Sequence, residues 1–315
     1  MDIIGTILWP IKYVIEVILI AFHWLFTSIG LDANAGITWV LAIVGLVLVV
    51  RAALIPIFVR QIKSQRKMLE VAPELKKIQA KYKGKRDQFS REAMSRETME
   101  LYKKAGTNPM SSCIPLLIQM PIFFGLFQVL QNSQKGQAGV GPMSQELAKS
   151  FANASLFGIA PLHESFQGAM AVGNVAVMVI AATMVVLMTA SQFITQLQIV
   201  SKNMSEETKA SPTFRQQRIL LYILPLVFAF SGFAFPIGVM FYWLVSNFWT
   251  MIQQFLVIRN MPTPGSQAAK AREERLARQG KLVSKDAPTV VVEEKKTPTQ
   301  RQQPVGKNRA KKQGK

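Results

Sequence analysis

The sequence predicts an all-α membrane protein with five transmembrane helices, and three observations lead there. Half of its 315 residues are hydrophobic, yet 37 Lys and Arg face only 18 Asp and Glu, a net charge of +19. That is both greasier and more basic than an ordinary soluble domain. The apolar residues gather into blocks at 37–59, 113–131, 171–197, 219–233 and 236–258, mostly long enough to cross a hydrocarbon core of about 30 Å. The fourth block is short. Pro236, with Gly232 and Gly238, divides it from the fifth as a tight helical hairpin.

The third observation is the charge of the connections. Lys and Arg number 14 from Arg60 to Lys104, two from Asn132 to Met170, four from Gln198 to Arg218, and 15 from Arg259 onward. Basic loops stay in the cytoplasm. This puts residues 60–112, 198–218 and the tail inside, and 132–170 with the Ser231–Ile237 corner outside. The expected organisation is an N-terminal segment 1–35 on the outer side, a five-helix core 36–258 and a basic cytoplasmic tail 259–315. The N-terminus is then outside and the C-terminus inside, in the inner (plasma) membrane.

Residues 1–35 admit three readings. Lys12, Glu16, His23 and Thr27 share one helical face, opposite Ile4, Ile7, Ile11, Ile18, Leu25 and Phe26. A narrow polar stripe of this kind fits a helix lying along the outer interface. The run Ile4 to Phe26 is also apolar enough for an extra span. A cleaved signal peptide is the third reading: Ala33-Asn34-Ala35 loosely matches a cleavage site, but the chain starts with Asp2 rather than a basic residue.

Within the first cytoplasmic loop, Leu75, Ile78 and Tyr82 form one helical face and Met94, Leu101 and Ala105 another. The pattern predicts an amphipathic helical hairpin. Pro73 suits a first turn, Gly84 the bend, and Gly106 before Asn108-Pro109 the stop. Met68, Met94, Met99 and Met110 add flexible, polarisable side chains that suit varied apolar partners; they serve equally to pack a hairpin that is only a basic anchor. The tail is rich in Pro, Gln, Lys, Arg and Ala and reads as disordered, with a short helix at 268–280. Anionic lipid or ribosomal RNA would both attract it.

Chemistry is excluded more than it is suggested. Cys113 is the single cysteine, so the chain has no intrachain disulfide, CxxC pair or thiolate zinc site. His23 and His163 have no metalloprotease spacing, and no phosphate-binding loop is present. No catalytic residue, metal or cofactor is expected.

Arg51 is the most informative residue. It lies eight positions before the end of the first block at residue 59, about 12 Å deep at about 1.5 Å per residue. A guanidinium there costs roughly 2.5 kcal/mol or more in lipid, so it normally faces water or a partner charge. No Asp or Glu lies within the other spans. Pro56 frees the carbonyl of Ala52 nearby, which water or a neighbouring helix can satisfy. The other spans contribute Gln119, Gln192, Gln196, Asn247 and Gln253, with Trp243 among them. Each alone suits helix packing; together with an unpaired arginine they suggest a polar groove open to one side.

The same residues carry a family resemblance. The runs Val50-Arg51-Ala52-Ala53-Leu54-Ile55-Pro56, MLEVAPELKKIQAKY at 68–82, LYKKAGTNPMSSCIPLLIQMPIFF at 101–124 and FPIGVMFYWLVSNFWTMIQQ at 235–254 resemble the YidC insertases. The similarity covers about 36–258 in unbroken order. It is to the form without a large outer domain, as in Gram-positive bacteria, and the tail looks actinobacterial.

The resemblance implies five helices around a hydrophilic groove open to the cytosol and lipid, with a mobile cytoplasmic hairpin. Arg51 would be the groove arginine, lined by Gln119, Gln192, Gln196, Trp243 and Asn247, with Met68, Met94 and Met99 on a client-capturing hairpin. Implied partners are nascent membrane proteins, the Sec translocon (SecYEG and SecDF), the ribosome through the tail, and anionic lipids. Two departures stand out: Ser111-Ser112 replaces the glycines usual before Cys113, and Val47 gives Arg51 no polar companion one turn away. The rival reading is an anion channel or transporter with Arg51 as its binding charge, but the inverted repeats that would favour it are absent.

The loop charges generate a direct test. A cysteine placed at Ser144 is expected to react with an impermeant thiol reagent from outside only, and one at Lys85 from inside only. Reversed labelling would overturn the orientation.

Overall fold

The apolar blocks fold as helices because lipid offers no partner for backbone N–H and C=O groups, which a helix satisfies internally. The structure, a computed structural model, describes residues 3–85, 87–108, 114–209, 223, 226–227 and 229–280, all within the unit Met1–Lys281. Helices α1 (Ile3–Ser28) and α2 (Gly36–Glu70) are followed by α3 (Ala72–Lys81), α4 (Gln88–Lys104) and α5 (Ile114–Gln134). Next come α6 (Gln145–Asn153), the short antiparallel strands β1 (Ser155–Leu156) and β2 (Ala160–Pro161), α7 (Phe166–Val172) and α8 (Val175–Lys202). The turn α9 (Glu206–Lys209), then α10 (Ile237–Asn260) and α11 (Gln267–Arg278), complete the described elements. The fold is all-α apart from that small hairpin.

Three helices among the described residues are long and apolar enough to cross a membrane: Gly5–Ser28, Gly36–Met68 and Val175–Lys202. Helices α5 and α10 have the length, 21 and 24 residues, but amides interrupt both. Residues 219–222, 224–225 and 228 of the fourth apolar block lie outside the described residues, as do Met110, Ser111-Ser112 and Cys113 and the tail beyond 280. Helix α2 does not end with its block at 59. It continues through Pro56 to Glu70, so Arg60, Lys63 and Lys67 extend a rod well past the apolar segment.

Packing follows helical spacing. Val177, Ala181, Met184, Met188, Ser191 and Thr195 are buried on one face of α8, and Val239, Tyr242 and Ser246 on α10. These helices pack against each other, while α1 packs against α2 and α5. Gly45 lets the Phe22 ring of α1 sit directly on α2, where any Cβ would collide with it.

The polar stripe of α1 faces protein. Lys12, Glu16 and His23 are buried, whereas Ile7 and Trp24 are each 69% exposed on the opposite side. Glu16 accepts hydrogen bonds from the backbone N–H groups of Val140 (2.9 Å) and Gly141 (2.7 Å) in the loop after α5. A side chain at Gly139 would collide with that carboxylate.

At the same end, His23 stacks on fully buried Trp39 at 3.9 Å and donates from Nε2 to the Ala33 carbonyl. Trp39 donates to Ser150 Oγ and meets the Phe151 ring edge-on. The first amides of α10 are satisfied there too, Ile237 N–H by Glu164 O and Gly238 N–H by Leu162 O, both at 2.9 Å.

The opposite end carries the expected hairpin, α3 and α4. Pro73 lies in the first turn of α3, Gly84 (φ +87°) makes the bend, and Asp87 caps α4 by accepting from Ser90 N–H. The two helices are tied by Glu97, which accepts from Lys81 Nζ (2.5 Å) and Tyr82 Oη (2.8 Å). At the base, Thr107 donates to the Ser64 carbonyl, so the end of the hairpin is held to α2.

Two outcomes are expected. Glu16→Ala leaves two loop amides without an acceptor and should lower stability by about 2–4 kcal/mol, read as thermal unfolding in detergent, with Glu16→Gln losing less. In the hairpin, the hydrogen bond from Lys81, then that from Tyr82, holds the Glu97 carboxyl below its usual pKa, and Glu97 holds Lys81 above its own. The contribution of Glu97 is therefore full above the usual glutamate range and lost as pH falls through its lowered pKa. That of Lys81 is full below the usual lysine range and lost as pH rises through its raised pKa. Proteolysis within 83–87 should accelerate at both extremes and be slowest near neutrality, and Glu97→Gln should flatten the acid limb.

Candidate functional site

An apolar helix that carries a single cation places it wherever the helix register dictates, and Arg51 falls in the middle of the membrane-crossing part of α2, half-buried. No carboxylate pairs with it among the described residues. Helix α2 packs against α10, which carries Tyr242, and against α5. The Tyr242 hydroxyl in turn accepts a hydrogen bond from Gln119 Nε2 of α5, at 3.2 Å. The three helices thus pack together, with a phenol and an amide joining α10 to α5.

The neighbouring residues follow helical spacing. Phe123, one turn from Gln119, stacks nearly parallel on Trp243 with ring centres 5.5 Å apart, and Phe235 meets Trp243 edge-on at 4.8 Å. Trp243 is accordingly locked in an aromatic cluster on one side of the site. One turn further along α10, Asn247 Nδ2 and the adjacent Ser246 Oγ are buried with no hydrogen-bond partner in the protein. Such orphaned groups call for water or a bound polar chain.

Of the predicted groove residues, Gln119 is joined to Tyr242, Trp243 sits in the aromatic cluster, and Asn247 lies one turn along α10 from Trp243. Gln192 and Gln196 are half-buried on one face of α8, and no hydrogen bond joins either to that group among the described residues. Gln253 is occupied by the Trp249 indole N–H. The groove reading missed Tyr242 and Ser246. Their signal was a polar pair four positions apart in an otherwise apolar helix, obscured because tyrosine in the run FYWLVSN reads as one more aromatic.

The hairpin methionines differ in exposure. Met99 is 45% exposed on α4, whereas Met94 is half-buried within the hairpin and Met68 half-buried on the end of α2. Beside them Phe89 is 81% exposed, an apolar surface that the methionine pattern did not reveal. At the other end of α10, Asn203 Oδ1 accepts from Thr263 N–H, and Arg275 donates to the Arg259 carbonyl. These contacts seat α11 against the ends of α8 and α10.

Comparison with known proteins identifies the family. Residues 30–264 match the family model described as 60Kd inner membrane protein. Over 316 residues the chain is 45% identical to the membrane protein insertase YidC of Tropheryma whipplei (strain Twist), covering 98% of this chain and 97% of that one. It is 42% identical over 282 residues to the insertase of Streptomyces avermitilis, covering 88% of this chain and 64% of the relative. With that of Bifidobacterium longum it shares 37% over 273 residues, 85% and 80% of the two chains. The match with the Tropheryma protein runs nearly end to end and leaves no room for a large extra domain in that relative. The chain belongs to the YidC family of membrane protein insertases.

Proposed function

We propose that this protein moves the polar flanks of nascent membrane proteins into a hydrated groove around Arg51, open to the cytosol and lipid and closed at the outer end. In this reading five spans form the core: α2, α5, α8, the 219–233 segment and α10. The observation that carries it is the set of polar groups lacking protein partners, Asn247 Nδ2 and Ser246 Oγ, one turn along α10 from the Tyr242 that holds Gln119. The packed Trp39 junction supports closure at the opposite end.

The energetics require no chemical step. A charged residue at the centre of a bilayer costs about 2.5–3.5 kcal/mol on insertion scales. A wet groove reaching partway across shortens that barrier, and Arg51 attracts acidic residues of the translocating end. An outside-positive potential then draws each negative charge onward with roughly 2.3 kcal/mol per 100 mV. Roughly 20 apolar residues, each contributing a few tenths of a kcal/mol, supply several kcal/mol for release into lipid.

The hairpin receives clients first, through Met99 and Phe89 on its exposed side, with Met68 and Met94 supporting that surface. The tail binds the ribosome and anionic lipid by charge. The Sec translocon, SecYEG with SecDF, shares clients that need further translocation. Nothing in the relatives or the site favours the channel reading.

The test is insertion of one small client, with an acidic or a neutralised translocated end, into liposomes holding the parent protein, Arg51→Lys or Arg51→Ala. Arg51→Lys is expected to keep much of the activity, because a point charge still hydrates the site. Arg51→Ala is expected to insert the acidic client at least tenfold more slowly and the neutral client with a smaller loss. Equal activity of all three on both clients would show the charge to be dispensable.

A further inference from the structure

The outer cap holds one element that the insertion reading does not use. Strands β1 and β2 pair Leu156 with Ala160, leaving Phe157, Gly158 and Ile159 as a turn. Phe157 has φ +53° and Gly158 φ +73°. Two successive left-handed residues suit Asn-Gly or Gly-Gly, and a bulky aromatic at the first is strained. The ring is nevertheless 78% exposed and Ile159 53% exposed. Water accounts for neither the residue type nor its conformation.

The base of this turn is rigid. Ala154, Leu156, Ala160 and Leu162 are buried. β1 lies against the start of α2, where Gly36 leaves no space for a Cβ beside the Ser155 carbonyl, and β2 lies against α8. Leu162 O caps the N-terminus of α10. The tip is therefore fixed beside the first turns of α2 and α8, where lipid-facing side chains begin: Ile37 is 40% exposed, Val175 63% and Val179 59%. Residues 150–162 contain no charged side chain, so nothing in the segment resists entry into the headgroup layer.

We propose that the Phe157–Ile159 turn is a membrane-seated prong, inserted in the interfacial layer of the leaflet at the N-terminal ends of α2 and α8. Its side, the outer leaflet, rests on the proposed topology; its contact with lipid does not. Rigid apolar side chains at the boundary between headgroups and acyl chains gain by burial there and set the depth of the element that carries them. The prong, fixed to the helix that holds Arg51, would hold the sealed end of the bundle at a constant height in the bilayer.

The test uses the full chain with Cys113→Ala, reconstituted without other proteins in phosphatidylethanolamine and phosphatidylglycerol vesicles. An environment-sensitive fluorophore is attached through Phe157→Cys or Ile159→Cys, or through Gln145→Cys on α6 as the aqueous control. Both tip labels are expected to emit to the blue of the control. Lipids brominated on the upper acyl carbons should quench them severalfold more than the control, and aqueous iodide severalfold less. Adding Phe157→Asp to the Ile159→Cys chain should abolish the bromolipid quenching. Iodide quenching equal to the control would overturn the proposal. So would shielding from iodide without bromolipid quenching, which would indicate contact with a second copy, and so would quenching that survives Phe157→Asp.

Discussion

A guanidinium halfway along a membrane-crossing helix has to be solvated, and the rest of the molecule can be read as the consequence. Arg51 has no carboxylate partner among the described residues. The helices packed against α2 carry a phenol, Tyr242, whose hydroxyl already holds the Gln119 amide, and a buried amide and hydroxyl with no partner in the protein. Neutral dipoles of this kind tolerate a cation without neutralising it. In the proposed mechanism the charge is thus left available to an acidic client segment, which a buried ion pair would have consumed.

The same constraint explains why the two ends of the bundle differ. At the N-terminal end of α2 loop and helix-end amides have found partners: the Glu16 carboxylate takes those of Val140 and Gly141, and the Leu162 and Glu164 carbonyls take the first amides of α10. Trp39 fills the centre between His23 and Phe151. The other end is built from long, charged, surface-exposed helices joined by an ion pair and a hinge hydrogen bond, contacts that are individually weak. A tight cap opposite a loosely tied hairpin is the asymmetry that the proposed one-sided groove requires.

Much of this was legible beforehand, for identifiable reasons. Pro73, Gly84 and Gly106 act through backbone geometry alone, so the hairpin and its bends could be read directly. The position of Arg51 follows from counting along an apolar block. Other features depend on what a side chain meets. The stripe of Lys12, Glu16 and His23 was recognisable as one helical face, but periodicity cannot say whether water or protein covers it, and here it is protein. Helix α2 outruns its apolar block because charge marks the limit of lipid, whereas the helix stops only where the backbone is broken, at Val71. Tyr242 was passed over because a tyrosine among aromatics does not reveal where its hydroxyl points, and spacing on α8 says nothing about how far Gln192 and Gln196 reach toward Arg51.

The central claim is that water reaches the middle of the bundle from one side only. Single cysteines at Gln119 and Asn247, in a chain with Cys113→Ala, can be exposed to an impermeant maleimide in sealed vesicles of either orientation. The account expects both to react from the cytoplasmic face at rates approaching those of an exposed loop cysteine, and neither from the outer face. Protection from the cytoplasmic side, or equal reaction from both sides, would contradict it.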